Sequence, residues 1–180
     1  MFDTHSTDSA LWAATLARTR RELAELPAGE HGWLAAQVAR IGARQTELDG
    51  LFREIDGPAL CADCLGGCCQ ARHHVTLTNL LGCLLAGQEP PAPDFAPGCP
   101  MLGAQGCRLP AAHRPFNCVI FLCDEVDRHL TQAQRDRFAT IEAEQRRSYH
   151  EVAERCPGAS LRGLLIAAAR VGENPLLTTR

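Results

Sequence analysis

Residues 61–74 read CADCLGGCCQARHH, a stretch that holds four of the chain's ten cysteines and two of its histidines. A second set follows in CPMLGAQGCRLPAAHRPFNCVIFLC, residues 99–123. Thiols at this density can ligate a metal, close disulfides or act as nucleophiles. Their spacing favours the metal. In Cys61-x2-Cys64 both sulfurs can point to one centre, and Gly66-Gly67 supplies a backbone permissive enough to wrap the loop. Cys68 and Cys69 are adjacent, and neighbouring side chains on an extended backbone point to opposite sides. Both can reach one ion only with local distortion, so one of them is expected to turn into the first group's site. The other reaches elsewhere, toward the group Cys99-x7-Cys107-x10-Cys118-x4-Cys123. A site drawing ligands from both halves is the reading that follows. Soft thiolates select zinc or iron–sulfur clusters over magnesium or calcium.

The remaining reactive residues read more plainly. Cys83 and Cys156 stand outside both groups and are expected to be small buried hydrophobes. His73 and His74 follow the first group and are expected as solvated or hydrogen-bonded imidazoles rather than ligands. His113 and Arg114 lie between two cysteines, where a guanidinium would stabilise the negative charge of a tetrathiolate site. Asp124 and Glu125 read as exposed acids opening a polar stretch. The chain has no Gly-rich phosphate loop, no G-x-S-x-G elbow and no H-E-x-x-H helix. A Cys/His nucleophilic pair could be drawn from any of the thiols, so it selects nothing.

Composition narrows the field. At 180 residues the chain is long enough for one domain with an ordinary core. Its net charge is −3, and acids are interspersed among its small arginine groups, so there is no basic stripe of the kind that binds nucleic acid. No charged start leads into an apolar run, and no segment reaches the roughly 18 consecutive apolar residues of a membrane span. The expected compartment is the cytoplasm, where stable disulfides are disfavoured.

Helices must hold the cysteines. Trp12, Leu16, Leu23 and Leu26 form one apolar face, with Thr7, Asp8 and Ser9 as cap candidates and Pro27 with Gly29 as the stop. Leu34, Val38, Ile41, Leu48, Phe52 and Ile55 define a second helix over about 32–56, with Gln45 as the one polar member of its face. The short link predicts that these two pack antiparallel. Residues 78–87 predict a short buried helix capped by Thr78. Four prolines between Pro90 and Pro97 predict a stiff extended crossing. Thr131 and Gln134 open a long helix with Phe138, Ile141, Tyr149 and Val152 toward the core. A last helix is predicted from Ser160, with Leu161, Leu164, Leu165 and Ala168 on one side. The expected architecture is mostly α, a small single domain over 1–180 built around an irregular Cys-rich metal-binding region. It comprises an N-terminal helical pair (1–57), the Cys-rich region (58–125) and C-terminal helices (126–180).

The two cysteine groups together resemble the YkgJ-like cysteine-cluster family, described as a zinc- or iron-chelating domain. The pieces that carry the resemblance are CADCLGGCC (61–69), VTLT (75–78), CPML (99–102), GC (106–107), RP (114–115) and CVIFLC (118–123). Three residues separate Cys64 from Cys68 where two are commoner in the family, and Val119 stands where an arginine often follows the cysteine. The resemblance implies a cytoplasmic bacterial metalloprotein with a possible redox role, its ligands drawn from Cys61, Cys64, Cys68, Cys69, Cys99, Cys107, Cys118 and Cys123. The all-sulfur set and the family description give iron–sulfur a narrow preference over zinc. The alternative is a non-catalytic, zinc-stabilised module that binds a protein partner, with neither nucleic acid nor membrane as a target.

Overall fold

The computed structural model describes residues 4–63, 75–96, 98–104 and 106–178. Among them the protein is mostly α, with eight α-helices and one two-stranded ribbon. Helix α1 (Thr4–Glu25) starts ahead of the Thr7–Ser9 cap candidates, since no proline or glycine interrupts the run there. Pro27 ends α1 as expected and stands just before α2 (Ala28–Glu54), so Gly29 belongs to the first turn of α2 instead of the link. Asp56, in the left-handed region at φ 55°, turns the chain out of α2 and into α3 (Gly57–Asp63). Cys61 consequently sits on a helix.

The first two helices are not each other's main partners, although their short link predicted it. A link fixes only that two elements are close in sequence; their apolar faces choose what they bury against. Helix α2 lies antiparallel along α7 (Gln132–Arg155), burying Leu34, Val38, Ile41 and Leu48 near Phe138, Ile141, Tyr149 and Val152. Each such side chain contributes about 1.5–3 kcal/mol when buried. Polar pairs along the seam set the register: Glu30 with Arg155 at 3.8 Å, Gln37 donating to Glu151 at 3.0 Å, Arg44 with Glu144 at 3.0 Å, and Glu47 with Arg137. Being largely exposed, the ion pairs among them add little energy but forbid slippage. Helix α1 leans instead on α8 (Leu164–Val171) and α4 (Leu77–Leu85). There Arg18 donates to the carbonyls of Gly172 and Asn174, and Glu22 accepts the backbone N–H groups of Leu176 and Leu177 at 2.7 and 3.0 Å.

Helix α4 is buried along 77–83, as its unbroken apolar run predicts. Its cap is Thr76 rather than Thr78: the Thr76 N–H and hydroxyl both donate to Asn79 Oδ1, at 2.9 and 2.7 Å. The described residues of the proline-rich crossing carry no regular structure, as expected. Thr131 and Gln134 form the predicted capping box of α7, and Phe138, Ile141, Tyr149 and Val152 are all buried. Helix α8 begins four residues later than Ser160. The chain first bends through Ser160–Gly163 so that the Leu164 N–H can bond the Val75 carbonyl at 2.7 Å, satisfying a donor that a helix start leaves open.

Candidate metal centre

The Cys-rich region is less irregular than its sequence suggests. Leu102–Gly103 pairs antiparallel with Gly106–Cys107, placing Leu102 opposite Cys107. Gly106, at φ 99°, makes the return in a conformation that other residues rarely adopt. Buried Met101 and Leu109 anchor the two arms of this ribbon in the core. It brings Cys99 and Cys107 within electrostatic reach of each other.

A 3-10 turn, Ala111–His113, follows and wedges between α2 and α4. Two glycines make room for it. A Cβ on Gly42 would meet the Ala112 carbonyl oxygen at 3.4 Å, an ordinary contact, whereas one on Gly82 would lie 2.5 Å from His113 Nδ1. The His113 ring is packed so closely on α4 that burial pushes its pKa below the usual value. Gly82→Ala is therefore expected to destabilise the protein by about 1–2 kcal/mol, although alanine by itself favours a helix by about 1 kcal/mol. Gly42→Ala is expected to be neutral or stabilising by less than about 1 kcal/mol. Urea denaturation of the two variants checks the contrast.

Arg114 is the hub of the loop. Its carbonyl accepts an amide N–H from Gln45 on α2 and another from Asn79 on α4, each at 2.8 Å. Its guanidinium donates to Asp49 on α2 at 3.1 Å and to the Leu109 carbonyl at 3.4 Å. The same guanidinium reaches the sulfur of Cys107. Burial pushes the Cys107 thiol up, Cys99 adds to that rise, and the Leu109 N–H and the Arg114 cation oppose it by stabilising the thiolate. The sequence sets His113 and Arg114 between two cysteines, and the structure puts the Arg114 guanidinium beside Cys107. Asp49, which also holds Arg53 at 2.6 Å, orients it, a role with no signal in the sequence.

Pro115 starts helix α5 (Phe116–Ile120). Phe116 is buried with its ring 5.3 Å from that of Tyr149, and the Arg146 guanidinium lies over the Phe116 ring, 5.2 Å from its centroid. Val119, Ile120 and Leu122 pack on the small cluster of Leu48, Phe138 and Ile141, while Phe121 is left 51% exposed. Apolar packing thus fixes the spacer between Cys118 and Cys123. Cys123 precedes α6 (Asp124–Asp127), whose Asp124 and Glu125 are exposed as expected. Helix α3 lies against α6, so Cys61 and Cys123 are carried on neighbouring elements although the sequence separates them widely.

Among the described residues, no three His, Cys, Asp or Glu side chains gather closely enough to hold a metal ion. Cys64, Cys68, Cys69, His73 and His74 lie outside the described residues. Cys61, Cys107, Cys118 and Cys123 are half-buried, and Cys99 is buried. Cys83 and Cys156 are buried in the main core, as their separate positions predict. Burial pushes the Cys83 thiol up and raises Cys156 to about 11, with Glu30 adding to the second shift and Arg155 opposing it. A shallow groove of about 260 Å³ on the outer side of α2 and α7, lined by Arg40, Arg44, Glu144, Arg147, Ser148 and Glu151, contains none of the cysteines. No described helix is long and apolar enough to cross a membrane. The chain matches no family model, no curated protein and no solved structure.

Proposed function

We propose that this chain is a cytoplasmic metalloprotein that holds an iron–sulfur cluster or zinc through thiolates of both cysteine groups, with iron–sulfur narrowly preferred and electron transfer as its role. The observation that carries the reading is the setting of Cys107. A half-buried thiol meets a guanidinium held by Asp49 and a backbone N–H from Leu109, with Cys99 close by. Burial pushes this thiol up, and the guanidinium and the N–H oppose that rise by stabilising the thiolate, the form in which cysteine binds metal. The packing of α3 on α6 gives further support, because α3 carries Cys61 of the first group and α6 is entered from Cys123 of the second. The order of motifs that resembles the YkgJ-like family supports the same chemistry. Arg114 would balance part of the negative charge of a site with four sulfur ligands.

The second reading is a zinc-stabilised module that binds a partner protein, favoured by the exposed Phe121 in the middle of CVIFLC. Anaerobic purification, followed by a visible spectrum and metal and sulfide analysis, separates the two. A brown protein with acid-labile sulfide and a reductant-sensitive spectrum is expected. A colourless protein with stoichiometric zinc, inert to reductant, would replace electron transfer with the structural module. Absence of any cysteine-bound metal would overturn both.

A further inference from the structure

The groove on the outer side of α2 and α7 is walled by Arg40 and Arg44 from α2 and by Glu144, Arg147, Ser148 and Glu151 from α7. Steps of three and four residues put each set on one face of its helix, so the two sets form opposite walls. Contacts across the seam fix how the walls are matched. Toward one end, Gln37 Nε2 donates to Glu151 at 3.0 Å. Toward the other, Arg44 donates to Glu144 at 3.0 Å and to the Ser148 hydroxyl at 2.7 Å. Arg40 lies three residues beyond Gln37, and Arg147 three beyond Glu144. The two guanidiniums are therefore carried between these contacts, on facing walls.

The acids of the groove are engaged, Glu144 by Arg44 and Glu151 by Gln37. Arg40 and Arg147 have neither a hydrogen bond nor an ion pair among the described residues. Three arginines against two glutamates leave the groove with a net charge of +1. Two like charges on opposite walls repel unless an anion lies between them. We propose that this groove binds a phosphate group, with Arg40 and Arg147 as the two forks that hold it. A guanidinium presents paired N–H donors that match the oxygens of a carboxylate or a phosphate. The walls decide between these. A planar carboxylate has two oxygens and satisfies one fork, whereas a tetrahedral phosphate offers oxygens to both. The volume of about 260 Å³ falls just below the roughly 300–1,000 Å³ of ordinary small-molecule sites, which suits a small phosphate monoester and not a nucleotide. Glu151 is met by a neutral amide, so a second phosphate at that end would be repelled. No cysteine lines the groove, and the inference is independent of the metal reading.

Inorganic phosphate titrated into the full chain at low ionic strength, followed by calorimetry, tests this. One phosphate is expected to bind per chain. Arg40→Gln and Arg147→Gln are each expected to weaken binding about tenfold, the effect of one charge-assisted hydrogen-bonded fork. Both side chains are exposed, so neither change should disturb the fold, which circular dichroism checks. Glu151→Gln removes a negative charge from the groove and is expected to tighten binding. Acetate is expected to bind more weakly than phosphate, because it fills only one fork. Phosphate binding that survives unchanged in the Arg40→Gln/Arg147→Gln double variant would overturn the inference, as would acetate binding as tight as phosphate. So would the absence of phosphate binding at about 10 mM, where a site of even millimolar affinity is largely filled.

Discussion

Cys118→Ser is expected to lose bound metal and to weaken the fold together, and Cys61→Ser to do the same. The apparent binding energy of a structural zinc site, about 10–16 kcal/mol in zinc-finger peptides, is shared among its four ligands, so one thiolate carries on the order of 3 kcal/mol. That corresponds to about a hundredfold in metal affinity. The loss should reach the helices because Cys118 lies on α5, whose Val119 and Ile120 pack at the α2–α7 seam, while Cys61 lies on α3, which abuts α6. Metal content per folded molecule and thermal unfolding by circular dichroism measure both effects. Cys83→Ser is the control: it sets a hydroxyl in the core at a cost of about 1–3 kcal/mol but should retain all its metal. Equal metal loss in Cys83→Ser would remove the distinction between ligands and core thiols.

Phe116→Ala should cost about 3–5 kcal/mol, the range for emptying a buried aromatic position. Its ring is among the largest fully buried side chains and faces both Tyr149 and Arg146. The cavity would open two residues before Cys118, between α5 and the polar network of Gln45, Asn79 and Tyr149. Metal affinity is expected to fall as well, since the start of α5 loses the contact that holds it to α7. Phe116→Leu, which keeps most of the volume, should recover much of the stability. Denaturant unfolding with and without bound metal separates the packing loss from the ligand loss. A Phe116→Ala protein as stable as wild type would show that α5 is held from elsewhere.

Much of the helical frame was legible because apolar spacing at steps of 3 and 4 survives any arrangement of neighbours. Phe138, Ile141, Tyr149 and Val152 were readable as one face of α7, and the Thr131–Gln134 cap marked its start. Helix limits failed where a tertiary hydrogen bond overrode the local signal, as when the Leu164 N–H went to Val75 and delayed α8. The cap at Thr76 rests on a local bond instead, the Asn79 side-chain oxygen accepting from the N–H and hydroxyl of that residue. The ribbon Leu102–Gly103/Gly106–Cys107 left no periodic trace because each arm is only two residues long.

The candidate site divides along the same line. Residue types and spacing alone marked two cysteine groups, set Cys83 and Cys156 apart from them, and put a guanidinium between Cys107 and Cys118. Those are local properties: a thiol has its chemistry wherever the chain goes. Only the tertiary structure decided that Asp49, Gln45 and Asn79 converge on Arg114, and that Gln45 and Asn79 also meet at the Tyr149 hydroxyl. It decided too that α2 pairs with α7, bringing residues about a hundred positions apart into hydrogen-bonding distance. No periodicity encodes such a meeting. It arises when separate apolar faces bury against one another and their few polar members have only each other to satisfy.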